Sequence, residues 1–139
     1  MNLFFVIILS LLSFTTFQEE EINELVLIDN TYDQDDKTSV VSLTDLFNDA
    51  EKFRNKTIIV KGTVVKINPN ILGKNWIHIQ DGSKDDDGEL HDLTITSEEI
   101  FEVDDEITIK GKIILDRNFG AGYIYDVIME EGESYKKRI

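Results

Sequence analysis

The chain has 139 residues, a formal net charge of −14 and no cysteine. The length suits a single domain, and the lack of cysteine excludes a disulfide-stapled domain and a lipoprotein anchored through a modified cysteine. Nucleic-acid binding draws much of its affinity from basic groups that neutralise phosphates. So acidic a chain is therefore a poor general nucleic-acid binder unless its few lysines gather on one face.

The N-terminal part of the chain differs from the rest. Met1–Gln18 reads MNLFFVIILSLLSFTTFQ, an apolar run that is short for a membrane-spanning helix, which needs about 20 apolar residues. We interpret it as a secretory signal; an uncleaved N-terminal anchor is the alternative. Glu19–Ser39 is acidic with few apolar residues and is expected to be a flexible lead-in. These segments predict an exported protein, periplasmic or secreted, with no stable membrane insertion after signal cleavage.

A helix is expected from Ser42 to Phe53. Ser42 is a suitable N-cap, and Asp45 three residues later completes a variant of the capping box. Apolar residues recur at helical spacing on one face, which we expect to pack in the core. These residues are Leu43, Leu46, Phe47, Ala50 and Phe53.

Two later segments repeat one scheme. Thr57–Ile67 contains VKG and Glu106–Leu115 contains IKG, each within a run rich in apolar residues. Each copy is typical of a long strand that bends sharply at its glycine, as strands do at the corners of small barrels. The alternation predicts which residues point inward and which outward. Inward are Val60, Gly62, Val64, Ile109, Gly111 and Ile113; outward are Lys61 and Lys110.

Three shorter strands complete the predicted sheet. They are Asn75–Gln80, Leu90–Thr96 and Tyr123–Glu130, and the connecting loops are Asn68–Lys74, Asp81–Glu89 and Asp116–Gly122. Ser97–Val103 is expected to form a short helix or turn between the third and fourth strands, and Gly132–Ile139 a loose tail. The result is an all-β protein with a small α content, and its layout matches a five-stranded OB-fold barrel over residues 40–131. A β-sandwich is the rival, although it would normally have more strands.

Three blocks of this region carry a family resemblance. GTVVKINPNILGKNWIHIQDG, DLTIT and GKIILDRNFGAGYIYDVIME resemble a group of small exported bacterial OB-fold proteins, over about Ser42–Glu131. Members are often labelled DNA-binding or nucleic-acid-binding OB-fold proteins, and some are associated with periplasmic cytochrome and nitrite-reductase systems. The resemblance implies an exported OB-fold. The nucleic-acid label follows from the fold, and a fold alone does not give a function.

The expected ligand face is the outward side of Asn75–Gln80, the second strand along the chain. Trp76 and His78 share that side, and an aromatic ring there can stack on a sugar or a nucleobase, with a gain of about 1–3 kcal/mol per base. The alternative for Trp76 is structural, with the ring packed against the 119–123 loop to hold the two loops together. The other candidate ligand-binding residues are Lys61, Lys74, Asn75, Thr94, Arg117, Phe119 and Tyr123.

The sequence gives less support to a metal, haem or calcium site. His78 and His91 are the only histidines, and without cysteine they are more often exposed strand residues than ligands of a metal or haem. A haem-handling pair would combine His78 with Tyr123 or Tyr125. The loop from Ser83 begins like an EF-hand, but Thr94 stands at the twelfth position, where a bidentate Glu is required.

The sequence contains no nucleophile elbow, phosphate-cradling glycine loop or zincin pattern. It therefore predicts a non-enzymatic exported binding module without metal or cofactor, with single-stranded nucleic acid or an oligosaccharide as ligand. The alternative is a protein-interaction or assembly accessory of an exported redox complex, whose acidic surface would help to recognise a basic partner. For nucleic acid, a local positive strip would be needed from Lys61, Lys66, Lys74, Lys110, Lys112 and Arg117.

Overall fold

The computed structural model of the chain describes residues 39–136. The predicted signal, the acidic lead-in before Ser39 and the last three residues of the predicted tail lie outside this range. Within it, the helices are too short or too polar to cross a membrane.

The described chain is mostly β. Its elements are β1 (Val40–Val41), α1 (Leu43–Asn48), α2 (Ala50–Phe53), β2 (Thr57–Ile71), β3 (Lys74–Gln80), β4 (Leu93–Ser97), β5 (Glu106–Asn118) and β6 (Ile124–Ser134). The predicted helix is present but divided at Asp49. Ser42 caps α1 as predicted, because its Oγ accepts a hydrogen bond from the Asp45 N–H at 3.1 Å.

The six strands form one sheet. β2 pairs antiparallel with β3, β3 with β4, and β5 with β6. β2 also pairs antiparallel with β5, and β4 pairs parallel with β6. The short strand β1 lies parallel to β2 at Ile59 and Val60. The pairing thus runs β2–β3–β4–β6–β5 and returns to β2.

Strand β2 changes its partner near Gly62. Residues 57–63 pair with β5, and residues 63–71 pair with β3. Gly62 lies so close to β3 that a Cβ atom placed on it would be 2.9 Å from the Gln80 carbonyl oxygen. A Cβ atom on Gly111 would be 2.5 Å from Met129 Cγ. Both inward glycines are confirmed, and their role is close approach of the chains.

The core lies on the inward side of these strands. The apolar residues predicted to point inward on the two bent strands are fully buried: Val60, Val64, Ile109 and Ile113. The alternate residues Ile77 and Ile79 of β3 and Leu93 and Ile95 of β4 are also fully buried. Leu43 and Leu46 of α1 belong to the same core cluster, so the apolar helix face is confirmed. Burying a side chain of this size contributes about 1.5–3 kcal/mol, and packing rather than helix propensity therefore holds the two short helices.

Several predicted boundaries are wrong. Between the third and fourth predicted strands, where a short helix or turn is expected, the helix is absent and the turn is present, since residues 98–105 contain bends and a turn. Residues 68–71 and 116–118 belong to β2 and β5 and not to loops, and β6 continues to Ser134. Pro69 is tolerated in β2 because it falls in the register shift between the pairs Asn68–Trp76 and Ile71–Lys74.

Candidate binding cleft

A cleft of about 300 Å³ opens between two hairpins. The β2–β3 hairpin forms one side and the β5–β6 hairpin the other. The lining residues are Asn68, Ile71, Leu72, Trp76, Phe119, Gly120, Ala121, Tyr123 and Tyr125. A concave, mostly apolar site of this size is typical of a binding pocket.

Three aromatic rings from the two hairpins pack together beneath the cleft. The Trp76 ring centroid lies 4.9 Å from that of Phe119 and 5.7 Å from that of Tyr125, and each such pair contributes about 0.5–1.5 kcal/mol. Trp76 is only 6% exposed, and its Nε1–H donates to the Ile71 carbonyl at 2.9 Å. Trp76 therefore links the hairpins, while Tyr123, 64% exposed, is the ring open to solvent.

The tip of the β2–β3 hairpin is a two-residue turn, Leu72–Gly73, closed by the pair Ile71–Lys74. Its central residues have φ of 53° and 73°, as in a type I′ turn, which favours Asn-Gly. Leucine in this left-handed conformation costs roughly 1–2 kcal/mol.

The tip of the β5–β6 hairpin is held by hydrogen bonds across its base. The Phe119 N–H donates to the Tyr123 carbonyl at 2.9 Å, and the Gly120 N–H donates to Asn118 Oδ1 at 2.8 Å. Gly120, Ala121 and Gly122 have positive φ, which glycine adopts at no steric cost. The backbone pairing of each hairpin therefore fixes the conformation of both tips in the absence of a ligand.

Large apolar side chains at the two tips are open to solvent. The exposed fractions are 46% for Ile71, 73% for Leu72, 64% for Tyr123 and 61% for Ile124. Exposed apolar side chains gathered at one place are typical of an interaction site.

Among the residues that line the cleft, none carries a charge. The two predicted site cations near the hairpin tips each contact a carboxylate: Lys74 Nζ lies 2.6 Å from Glu98 Oε1, and Arg117 Nε lies 3.0 Å from Glu130 Oε1. The hydrogen bond from Lys74 lowers the pKa of Glu98. The Arg117 guanidinium also lies over the Phe119 ring, 4.8 Å from its centroid.

Three more lysines of the predicted positive strip have acidic neighbours, whereas Lys66 lies opposite His78. Across the β5–β6 register, Lys110 faces Glu133 and Lys112 faces Glu130. Lys61 lines a separate depression of the surface together with Asp81 and Glu106. The change of partner at Gly62 sends the two halves of β2 to different parts of the surface, so Lys61 does not reach the cleft.

His78 and Thr94 lie opposite each other on β3 and β4 but do not line the cleft. His78 Nδ1 is 2.7 Å from Asp92 Oδ1, and Gln80 Nε2 donates to the other oxygen of Asp92 at 3.1 Å. Asn75, also predicted as a ligand contact, instead braces the hairpin, since its Nδ2 donates to the Glu99 carbonyl at 2.9 Å.

The expectation that His91 is an exposed strand residue is wrong. It precedes β4, is 8% exposed, and stacks on Phe47 with the ring centroids 5.0 Å apart. Within residues 39–136, no three His, Asp or Glu side chains are grouped closely enough to hold a metal ion.

Six lining residues were not predicted as site residues: Asn68, Ile71, Leu72, Gly120, Ala121 and Tyr125. Tyr125 lies two residues after Tyr123, so strand alternation places both rings on the same face. This spacing could have identified Tyr125 as a site residue from the sequence. Leu72 precedes a glycine between two strands, where a polar residue is usual, so its apolar side chain was the second signal.

Comparisons with known proteins do not assign this chain to a family. No family model matches the chain, and no curated protein matches it. Among solved structures, the chain is similar to one described as an aspartyl-tRNA synthetase from Leishmania major Friedlin, with 8% identity and a TM-score of 0.44. The match covers 75% of this chain and 22% of that one. At this level the likeness carries no argument about function.

Proposed function

We propose that the described domain is an OB-fold barrel and that the protein is an exported, non-enzymatic binding module. The order of strand pairing, the parallel β4–β6 pair and the long strands β2 and β5 support the fold assignment. The apolar run Met1–Gln18 and the resemblance to small exported OB-fold proteins support export.

The observation that carries the proposal is the uncharged aromatic cleft between the two hairpins. In OB-folds the loops after the first and fourth barrel strands flank the ligand, and here these are the tips at Leu72–Gly73 and Phe119–Tyr123. Such a surface binds by apolar contact and ring stacking, with no chemistry on the ligand.

A protein partner fits this cleft better than a nucleic acid does. Phosphates need cations beside them, but no Lys or Arg is among the lining residues, and Lys74 and Arg117 already contact carboxylates. The net charge of −14 also disfavours the binding of a nucleic acid, because it repels phosphates. We therefore favour the role of a protein-interaction or assembly accessory, in which an apolar or aromatic side chain of the partner enters the cleft.

The only tryptophan of the chain, Trp76, lies in the cleft, so its fluorescence should report ligand entry. We would titrate the full chain with a phenylalanine-containing peptide, a thymidine oligonucleotide and a neutral oligosaccharide, each at two salt concentrations. We expect a saturable change with the peptide that depends little on salt. A saturable, salt-sensitive response to the oligonucleotide alone would contradict the proposal.

Tyr123→Ala is the variant of choice for this titration. Tyr123 is 64% exposed, so its removal should weaken peptide binding about tenfold while leaving the unfolding temperature nearly unchanged. Tyr135→Ala, at a half-buried tyrosine outside the cleft lining, is the control. Equal affinity of both variants would show that the peptide binds elsewhere.

A further inference from the structure

We propose that Leu72 is the residue through which the β2–β3 hairpin grips its partner, and that this partner presents an apolar or aromatic side chain flanked by basic residues. This inference rests on the proposed function. It names the residue on which binding mainly depends, and it specifies the chemistry of the partner.

Leu72 does not suit its own turn. Both central residues of the turn have positive φ, and a type I′ turn favours Asn, Asp or Gly at the position that Leu72 occupies. A leucine side chain there meets the steric penalty of the left-handed conformation. On backbone grounds alone, Leu72→Asn would be the better sequence for the hairpin.

The fold does not compensate for this penalty by burying the side chain. Leu72 is 73% exposed, so the hydrophobic gain from folding is small. Its side chain nevertheless lines the cleft. Local strain that folding does not explain is characteristic of binding sites, and a ligand in the cleft would cover this apolar surface.

Tyr123 lines the same cleft from the opposite hairpin. A partner side chain that enters would therefore contact Leu72 on one side and Tyr123 on the other. Hydrogen bonds close both hairpins, through the pair Ile71–Lys74 and the pair Phe119–Tyr123, so little flexibility is lost on binding.

The charges beside the tips favour a basic partner. The side chain of Asp116, near the tip of the β5–β6 hairpin, is 74% exposed, and it shares the Arg54 guanidinium with Glu51, so these three side chains together carry a net negative charge. Asp126, beside Tyr125, is also exposed. Basic flanks on the partner would be attracted to these carboxylates, whereas a second copy of this chain, with a net charge of −14, would be repelled.

The test is selection of a phage-displayed random peptide library on the full chain, followed by affinity measurements on the enriched peptides. We expect an enriched apolar or aromatic residue with Lys or Arg neighbours. Acidic enriched peptides would overturn the charge argument. Dimerisation of the wild type that Leu72→Asn abolishes would make a second copy the occupant and would also overturn the inference.

Three variants separate the inference from the proposed function. Leu72→Asn should weaken peptide binding at least tenfold while raising the unfolding temperature by about 4–8 °C. Ile100→Asn, at an apolar position that is 89% exposed and lies outside the cleft lining, should change neither quantity. If Tyr123→Ala weakens binding and Leu72→Asn does not, the inference is wrong and the proposed function stands. If no peptide is enriched, or Tyr123→Ala binds like the wild type, the proposed function itself is wrong.

Discussion

Gly62 lies so close to β3 that replacing it with alanine should destabilise the fold. The new Cβ atom would be 2.9 Å from the Gln80 carbonyl oxygen and 3.3 Å from both Gln80 C and Ile79 Cβ. Because these atoms belong to the backbone or are attached directly to it, no side-chain rotation relieves the contact. One of the two strands must move at the point where β2 changes partners.

The magnitude follows from two opposing effects. Overpacking of a well-packed site costs about 1–3 kcal/mol, whereas replacing Gly with Ala restricts the unfolded chain and returns about 0.4–1 kcal/mol. We therefore expect Gly62→Ala to lower the free energy of unfolding by about 1–2 kcal/mol. For a domain of this size, that corresponds to a fall of roughly 5–15 °C in the unfolding temperature.

Urea unfolding followed by Trp76 fluorescence measures this change directly, with an unchanged dependence on urea concentration expected. Lys61→Ala is the matched control, because Lys61 is the preceding residue and is exposed; it should stay within about 0.5 kcal/mol of the wild type. A Gly62→Ala variant as stable as this control would refute the argument from close approach.

Three further predictions concern Trp76, Ser42 and Asp81. Trp76→Ala should lower the free energy of unfolding by about 3–5 kcal/mol, measured by circular dichroism because the fluorophore is lost; a loss below about 1 kcal/mol would show that Trp76 does not link the hairpins. Ser42→Ala should cost about 1 kcal/mol through loss of the α1 cap and should speed amide exchange in α1; unchanged exchange would contradict the capping role. Partial burial raises the pKa of Asp81, but hydrogen bonds from the Ser83 side chain and from the Leu43 and Ser83 N–H groups outweigh it and hold the pKa below its usual value. This carboxylate therefore stabilises the fold fully above about pH 4 and loses its contribution as the pH falls through the lower folded-state pKa. Asp81→Asn should flatten the acid side of a plot of unfolding temperature against pH, and an unchanged slope would contradict this.

The repeated strand pattern predicted the core because its two copies pair with each other. Val60 lies opposite Ile109, and Gly62 opposite Ile107, so period-2 alternation reports burial directly on both strands. The helix cap at Ser42 was predictable for a similar reason, since the cap contact joins residues only three positions apart. The strand alternation and the helix cap depend on residues that are close together in the sequence, and both could therefore be predicted from it.

The cleft was only partly predictable, because it depends on contacts distant in sequence. The alternation showed which side of β2 Lys61 occupies, but it did not show that the bend at Gly62 separates this residue from the hairpin tip. Pro69 and its neighbours indicated a loop, yet pairing with β3 extends β2 to Ile71 and brings Leu72 to the tip. Composition alone did not reveal this register.

The parallel junction of β4 with β6 consists of two residue pairs, Ile95 with Met129 and Ser97 with Gly132. The β2–β3 and β5–β6 hairpins join neighbouring segments and can form early, whereas this junction must wait until β5 is in place. Among the junctions between the strands β2 to β6 it has the fewest residue pairs, so hydrogen exchange should be faster there than between β2 and β5. Each opening leaves the edges of β4 and β6 ready to pair with a strand of another molecule. The repulsion between chains of net charge −14 would then keep brief openings from becoming the first step of aggregation.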